Sequence, residues 1–318
     1  MTYSNDKLLA ALQRRGEEFG ARGQHATAKN YLSTATCFRA FLVWSELSRR
    51  PFGAATVRLF SAYLRTERAV SANTQAFYLR TLRAAWLAEG GDAAAFEGVN
   101  TGVSVVAREA PGPELIPQLR ALELKGTRAL VRDLFIFSFA ARGMDYIDMA
   151  HLRHADLYAN GYFRYQRRRT GQWVAVRLER ASREILERWQ TDPAASPYVF
   201  PILKAPAGVL DGEALEAFDA SEEAHVQYTS GLSLYNKYLR QMGKQLGVGG
   251  LSSGSAVLIW AAAAQEAGVP VALVSEALGY ASSRSTARLL ESIAAPAANT
   301  PEALEDALAG ILKKTGIQ

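Results

Sequence analysis

The chain has 318 residues, 49% hydrophobic and 21% charged, which is the make-up of a folded protein. Single cores rarely grow past about 250–300 residues, so two domains are expected. A formal charge of +5 favours a polyanionic partner, while one cysteine and four histidines argue against an internal disulfide and the usual zinc site. VLIWAAAA is too short to cross a bilayer, and MTYSNDKLLAALQRRGEEF lacks an apolar segment of signal-peptide length. The expectation is a cytoplasmic, nucleoid-associated protein with no metal and no cofactor.

Taken in chain order, NYLSTATCFRAFLVW, AATVRLFSAYLRTERA and NTQAFYLRTLRAAWLAEG repeat apolar residues at three- and four-residue spacing and predict helices. The last stops at Gly90-Gly91. Cys37 falls within the first as a small buried hydrophobe. VVAREAPGPELIPQL then ends the periodicity with prolines and a glycine. This places a helical domain over 1–105, a linker over 106–113 and a second domain over 114–318.

The second part opens with TRALVRDLFIFSFAARGM, apolar on nearly every side and so a buried helix, ending at Arg142-Gly143. HADLYANGYFRYQRRRTGQWVAVRL alternates at Val174, Val176 and Leu178, with a turn near Thr170-Gly171: a hairpin with a basic tip. ASREILERWQ resumes helix, and residues 204–224, rich in Pro, Gly, Asp and Glu, read as an acidic surface loop. TSGLSLYNKYLRQMGKQLG is helical and leads into LSSGSAVLIWAAAAQEAGVPVALVSEALGY, a helix, a turn and a helix, the first begun by a serine cap. Thr300-Pro301-Glu302 opens a last helix that ends in Lys313-Lys314.

These segments, in this order, resemble the tyrosine recombinase (phage integrase) family, in particular its Bacteroidetes-type integrases. TAKNYLSTATCFRAFL and SANTQAFYLRTLRAAW resemble that family's helical core-binding domain. DLFIFSFAARGMDYIDMAHLRHADL resembles its first catalytic box, YQRRRTGQ its Lys-Thr-Gly hairpin, YVFPIL the strand and turn that follow, and GVPVALVSEALGY the segment before its last histidine. The resemblance implies a mainly α, two-domain tyrosine recombinase fold with a small β-hairpin: a SAM-like core-binding domain, and a catalytic-type domain with a C-terminal helix. It also implies a C-shaped clamp on duplex DNA and a C-terminal helix able to dock on a neighbouring protomer. The family's chemistry needs a tyrosine nucleophile, two arginines that hold the scissile phosphate, and a lysine and histidines that manage the leaving-group proton.

Laid on that pattern, the first arginine falls on Arg142, its acidic partner on Asp148 and the hairpin lysine on Arg169. The remaining positions depart. The Tyr/His position holds Gly254, the second arginine Val257, the following histidine Leu258, the later histidine Tyr280 and the nucleophile Leu289. Arg169 stays cationic but is a poor proton donor. The expectation from these departures is a catalytically inactive protein, not an enzyme, whose vestigial site keeps only Arg142, Asp148 and Arg169.

DNA affinity comes mainly from phosphate contacts and does not depend on the nucleophile. Arg80 and Arg83 share one shoulder of a helix, a solvated face or, by the resemblance, a DNA contact; Lys29 and Tyr78 are weaker candidates. Arg167, Arg168 and Arg169 crowd the hairpin tip, where like charges repel and a polyanion would relieve them. Arg142 is expected to keep a phosphate contact. The expected function is double-stranded DNA binding as an accessory, regulatory or architectural factor in recombination, integration or transcription, as a homo-oligomer or beside an active recombinase. The rivals are an active recombinase with a displaced nucleophile, Tyr280 being the nearby phenol, and an interaction module that has lost DNA binding.

Overall fold

The computed structural model describes residues 3–102 and 111–291. The chain divides into two compact units, Met1–Val105 and Val106–Gln318.

The first unit packs four helices: α1 (Asn5–Ala21), α2 (His25–Ser45), α3 (Ala54–Thr66) and α4 (Ala72–Ala88). Three lie on the periodic segments; α1 is an addition. Its start is fixed by Ser4, whose side chain accepts from the Lys7 N–H, and it buries Leu8, Ala11 and Leu12. Ser71 caps α4 in the same way. The apolar faces meet around Phe38, Phe41 and Phe60, whose rings lie within 5.7 Å of one another centre to centre. Cys37 is 4% exposed inside this core, as a small hydrophobe would be.

In the second unit, α5 (Leu115–Arg120) leads into α6 (Gly126–Ala140), where every residue from Val131 to Ala140 is buried. A helix with no polar face must sit at a centre, and α6 does so. Its one buried carboxylate, Asp133, is satisfied by Arg132 Nε at 2.8 Å and, from the next long helix, by Arg188 Nη1 at 2.8 Å and Trp189 Nε1 at 2.7 Å. After α7 (Tyr146–Ala150), β1 (Tyr162–Gln166) and β2 (Trp173–Arg177) pair antiparallel, Tyr162 opposite Arg177 and Gln166 opposite Trp173. Then follow α8 (Arg180–Trp189), α9 (Gly212–Asp219), α10 (Glu222–Gln245), α11 (Ser255–Glu266), α12 (Val271–Ala277) and α13 (Ser283–Glu291).

Several expectations are corrected. Residues 204–224 are not simply an acidic loop: α9 forms there because Leu215 and Phe218, three apart, turn inward and are buried. YVFPIL makes no strand, only an isolated bridge from Tyr198 to Arg153. No serine caps α11. Gly254 stands at its start, and the Ser255 hydroxyl accepts from the Ser252 N–H at 3.0 Å. The expected helix from Thr300 to Lys314 and most of the expected linker lie outside the described residues.

Candidate nucleic-acid interface

α6 ends in a turn that sets the geometry of the site. Arg142 has φ 60° and Gly143 φ 73°, consecutive left-handed residues. Glycine is the usual choice at such a helix end, and an L-residue there costs about 1–2 kcal/mol. The turn is pinned by the Gly143 N–H to Ser138 O at 2.8 Å and by Ser138 Oγ to Met144 O at 2.7 Å. Gly143 has a second reason to be glycine: a Cβ there would come within 2.6 Å of the Val257 Cα on α11. The positions that the resemblance gives to the two phosphate-holding arginines, Arg142 and Val257, are thus neighbours. Only the first carries a guanidinium.

The hairpin is tied to the same place. Arg167 is 1% exposed; its Nη2 donates to Asp145 Oδ2 at 2.8 Å and its Nη1 to the Leu278 carbonyl. Thr170 Oγ1 donates to the Gly279 carbonyl at 2.7 Å. The Tyr280 ring lies over the Arg167 guanidinium, 4.7 Å from its carbon to the ring centre. Burial raises the Tyr280 pKa, with Arg167 opposing. Tyr165, buried on the same strand face as Phe163 and Arg167, lies within electrostatic reach of Asp148, Arg167, Asp145 and Arg142.

The arginine triplet therefore needs no DNA to relieve it. Besides Arg167–Asp145, Arg169 Nη2 is 3.2 Å from Asp145 Oδ2, and Arg168 Nη1 is 3.7 Å from Asp219 Oδ2. Arg167 is corrected from a DNA-contact candidate to a structural strut: a guanidinium buried against α7 and the Leu278–Gly279 turn cannot reach a phosphate. Arg168 and Arg169 keep side chains 38% and 66% exposed.

Asp148 is 3% exposed and works inward. Its Oδ1 accepts from the Arg168 backbone N–H at 2.9 Å, fixing the hairpin tip. Burial raises its pKa to about 6, against the Arg168 N–H. His151, beside it in a cleft with Arg153 and Arg168, donates through Nδ1 to Ile147 O at 2.8 Å. Burial, with Arg168, lowers its pKa to about 4. Sequence reasoning misses Asp145, Asp219 and Tyr165 and gives Thr170 only a turn role. Asp145 stands three residues before Asp148 in ARGMDYIDM, and that spacing was the available signal. Among the described residues no cluster of His, Cys, Asp and Glu has the makings of a metal site.

Of the other departures, Val257, Leu258 and Leu289 are packed as apolar filler. Leu258 is 8% exposed, and Val257, Tyr280 and Leu289 lie half-buried against the second unit's core. Gly254, half-buried, only begins α11. In the first unit, Arg80 on α4 is exposed and donates through Nη1 to Thr101 O at 2.9 Å. Arg83 is half-buried one turn later, Tyr78 leans on the core, and Lys29 is exposed on α2.

Among the described residues no helix is long and apolar enough to cross a membrane. No family model and no curated protein matches the sequence. Solved structures do match in fold. A lambda integrase dimer bound to a core site is 14% identical, with 92% of this chain and 98% of that one covered at a TM-score of 0.60. The Tn1549 transposon integrase in complex with transposon right-end DNA is 12% identical, with 99% of each chain covered and a TM-score of 0.61. The XerH site-specific recombinase, bound to its difH substrate in a pre-cleavage complex, is 13% identical, with 96% of each chain covered and a TM-score of 0.57. These are integrases and a recombinase, so the expectation of a protein outside the enzymes is corrected: the fold is one that integrases and a site-specific recombinase share. The chain has the mainly helical fold of the tyrosine recombinases and phage integrases.

Proposed function

We propose that the protein binds double-stranded DNA and takes part in recombination or integration, as an accessory or architectural component assembled on DNA with copies of itself or with a recombinase. The observation that carries this is the hairpin tip. Arg168 and Arg169 keep partly exposed guanidiniums, paired to Asp219 and Asp145, on a turn tied down at Asp148 and Gly279. Fixed, half-exposed guanidiniums are suited to phosphate oxygens. Arg142, in its strained turn, joins them; Arg80 and Arg83 are the contacts in the helical first unit, with Lys29 and Tyr78 beside them. The solved lambda integrase, Tn1549 integrase and XerH structures are DNA complexes, and lambda integrase also forms a tetramer on a Holliday junction, which supports both the ligand and the assembly.

The test is a salt titration of a fluorescent duplex. Affinity is expected to fall steeply with salt, and the slope to flatten by roughly 0.9 for each phosphate contact removed, in Arg80→Ala/Arg83→Ala and in Arg168→Ala/Arg169→Ala. Binding indifferent to salt and to both double variants would leave the interaction-module rival standing.

A second reading is strand cleavage by Tyr280, favoured by its place within electrostatic reach of Asp145 and of the exposed Arg169. Its phenol would give up its proton as the oxygen attacks phosphorus and forms a tyrosyl ester, while the bond from phosphorus to the 5′-oxygen breaks and that oxygen takes up a proton, with no net proton gained or lost. A nicked suicide substrate decides it: a covalent band lost in Tyr280→Phe supports the reading, and its absence from the unaltered protein removes it.

A further inference from the structure

The hairpin has a second face. The register sets Tyr162, Arg164 and Gln166 of β1 beside Trp173, Ala175 and Arg177 of β2, all turned away from the core. No acidic residue occupies any of these positions. Trp173 is 54% and Tyr162 43% exposed, large aromatic surfaces that the fold leaves in water. Arg164 lies over the Trp173 ring, 4.4 Å from the ring centre. That pair by itself would be an ordinary cross-strand contact. It does not account for the open Tyr162, nor for two cations with no carboxylate on the face. Arg177 meets its acid, Glu179, at 3.7 Å, beyond the end of the strand.

Rings alternating with guanidiniums fit a polyanion that also offers flat π faces. From the Tyr162–Arg177 pair to Gln166–Trp173 the face runs roughly 13 Å. Stacked nucleotides rise about 3.4 Å each, so three or more would lie along it. In a duplex the π faces are already stacked on one another, so this surface suits single strands.

We propose that the outward face of the β1–β2 hairpin binds single-stranded nucleic acid by stacking on Trp173, Arg164 and Tyr162, independently of the duplex contacts proposed above. The test uses the full chain and fluorescein-labelled dT10, read by anisotropy, with a labelled duplex in parallel. The unaltered protein should bind dT10. Trp173→Ala should weaken that binding roughly 5- to 150-fold, Arg164→Lys should weaken it less than Arg164→Ala, and duplex affinity should hold. Tyr162→Ala, outside the cation–ring pair, serves if Trp173→Ala fails to fold by circular dichroism. No dT10 binding, or dT10 binding unmoved by the aromatic variants, as at a purely electrostatic or protein-binding surface, would overturn the proposal. So would loss of dT10 and duplex binding in equal measure.

Discussion

The N-terminal half of α11 and the tip of the hairpin both occupy ground that the resemblance assigns to catalytic groups, and they have gone opposite ways. α11 presents Val257 and Leu258 and has joined the core. The hairpin has kept its charges and surrounded them with Asp145, Asp148 and Asp219. The difference teaches that a cluster of cations is not by itself a binding surface. Of three consecutive arginines, Arg167 is structural, and Arg168 and Arg169 are the ones that face solvent.

The strongest way to break this comparison is to remove the strut. Arg167→Ala leaves the Leu278 carbonyl without its donor and Asp145 with only the exposed Arg169, and urea unfolding should show a loss of about 3 kcal/mol or more. A loss below about 1 kcal/mol would mean that the guanidinium is replaceable by water.

Protonation gives the next effect. The pKa of Asp148 is raised in the fold, so its contribution to stability is present at low pH and lost as pH rises through about 6. That of His151 is lowered, so its contribution is present above pH 6.5 and lost as pH falls through about 4. Between these values the two slopes oppose each other, and the pair should leave stability nearly flat. Asp148→Asn removes one side, and unfolding curves from pH 6.5 to 4 should then reveal a loss on the order of 3 kcal/mol. Parallel pH profiles for the two proteins would contradict it.

A reverse substitution sharpens the other half of the comparison. Val257→Arg puts a guanidinium where Gly143 presses against the helix, and should cost about 1–3 kcal/mol by overpacking. An unchanged melting transition would show that α11 still has room for the charge. Smallest in stability are Arg168→Ala and Arg169→Ala, expected to change it by less than about 1 kcal/mol because half-exposed ion pairs are screened. Their effect should appear in duplex affinity instead.

Much of this was legible in the sequence. Unbroken apolar character found α6, and alternation with Thr170-Gly171 found the hairpin. The period of two, carried one step further from Phe163 and Tyr165, would have put Arg167 on the buried face as well, but charge outweighed register in that reading. α9 was hidden by its Pro, Gly and acidic surroundings, since two inward residues make a weak periodic signal. Asp219 was beyond reach because its partners Arg153, Arg168 and Tyr198 come from three distant segments joined only by the fold.

Cys37 gives the first unit a built-in probe. The chain's single thiol is sealed among aromatic rings, and burial holds its pKa up. An alkylating reagent can reach it only when that core parts, so the rate of labelling reports the opening equilibrium of the helical unit alone. A titration of denaturant against labelling would yield that unit's own free energy, with the hairpin half contributing no reactive sulfhydryl to the signal.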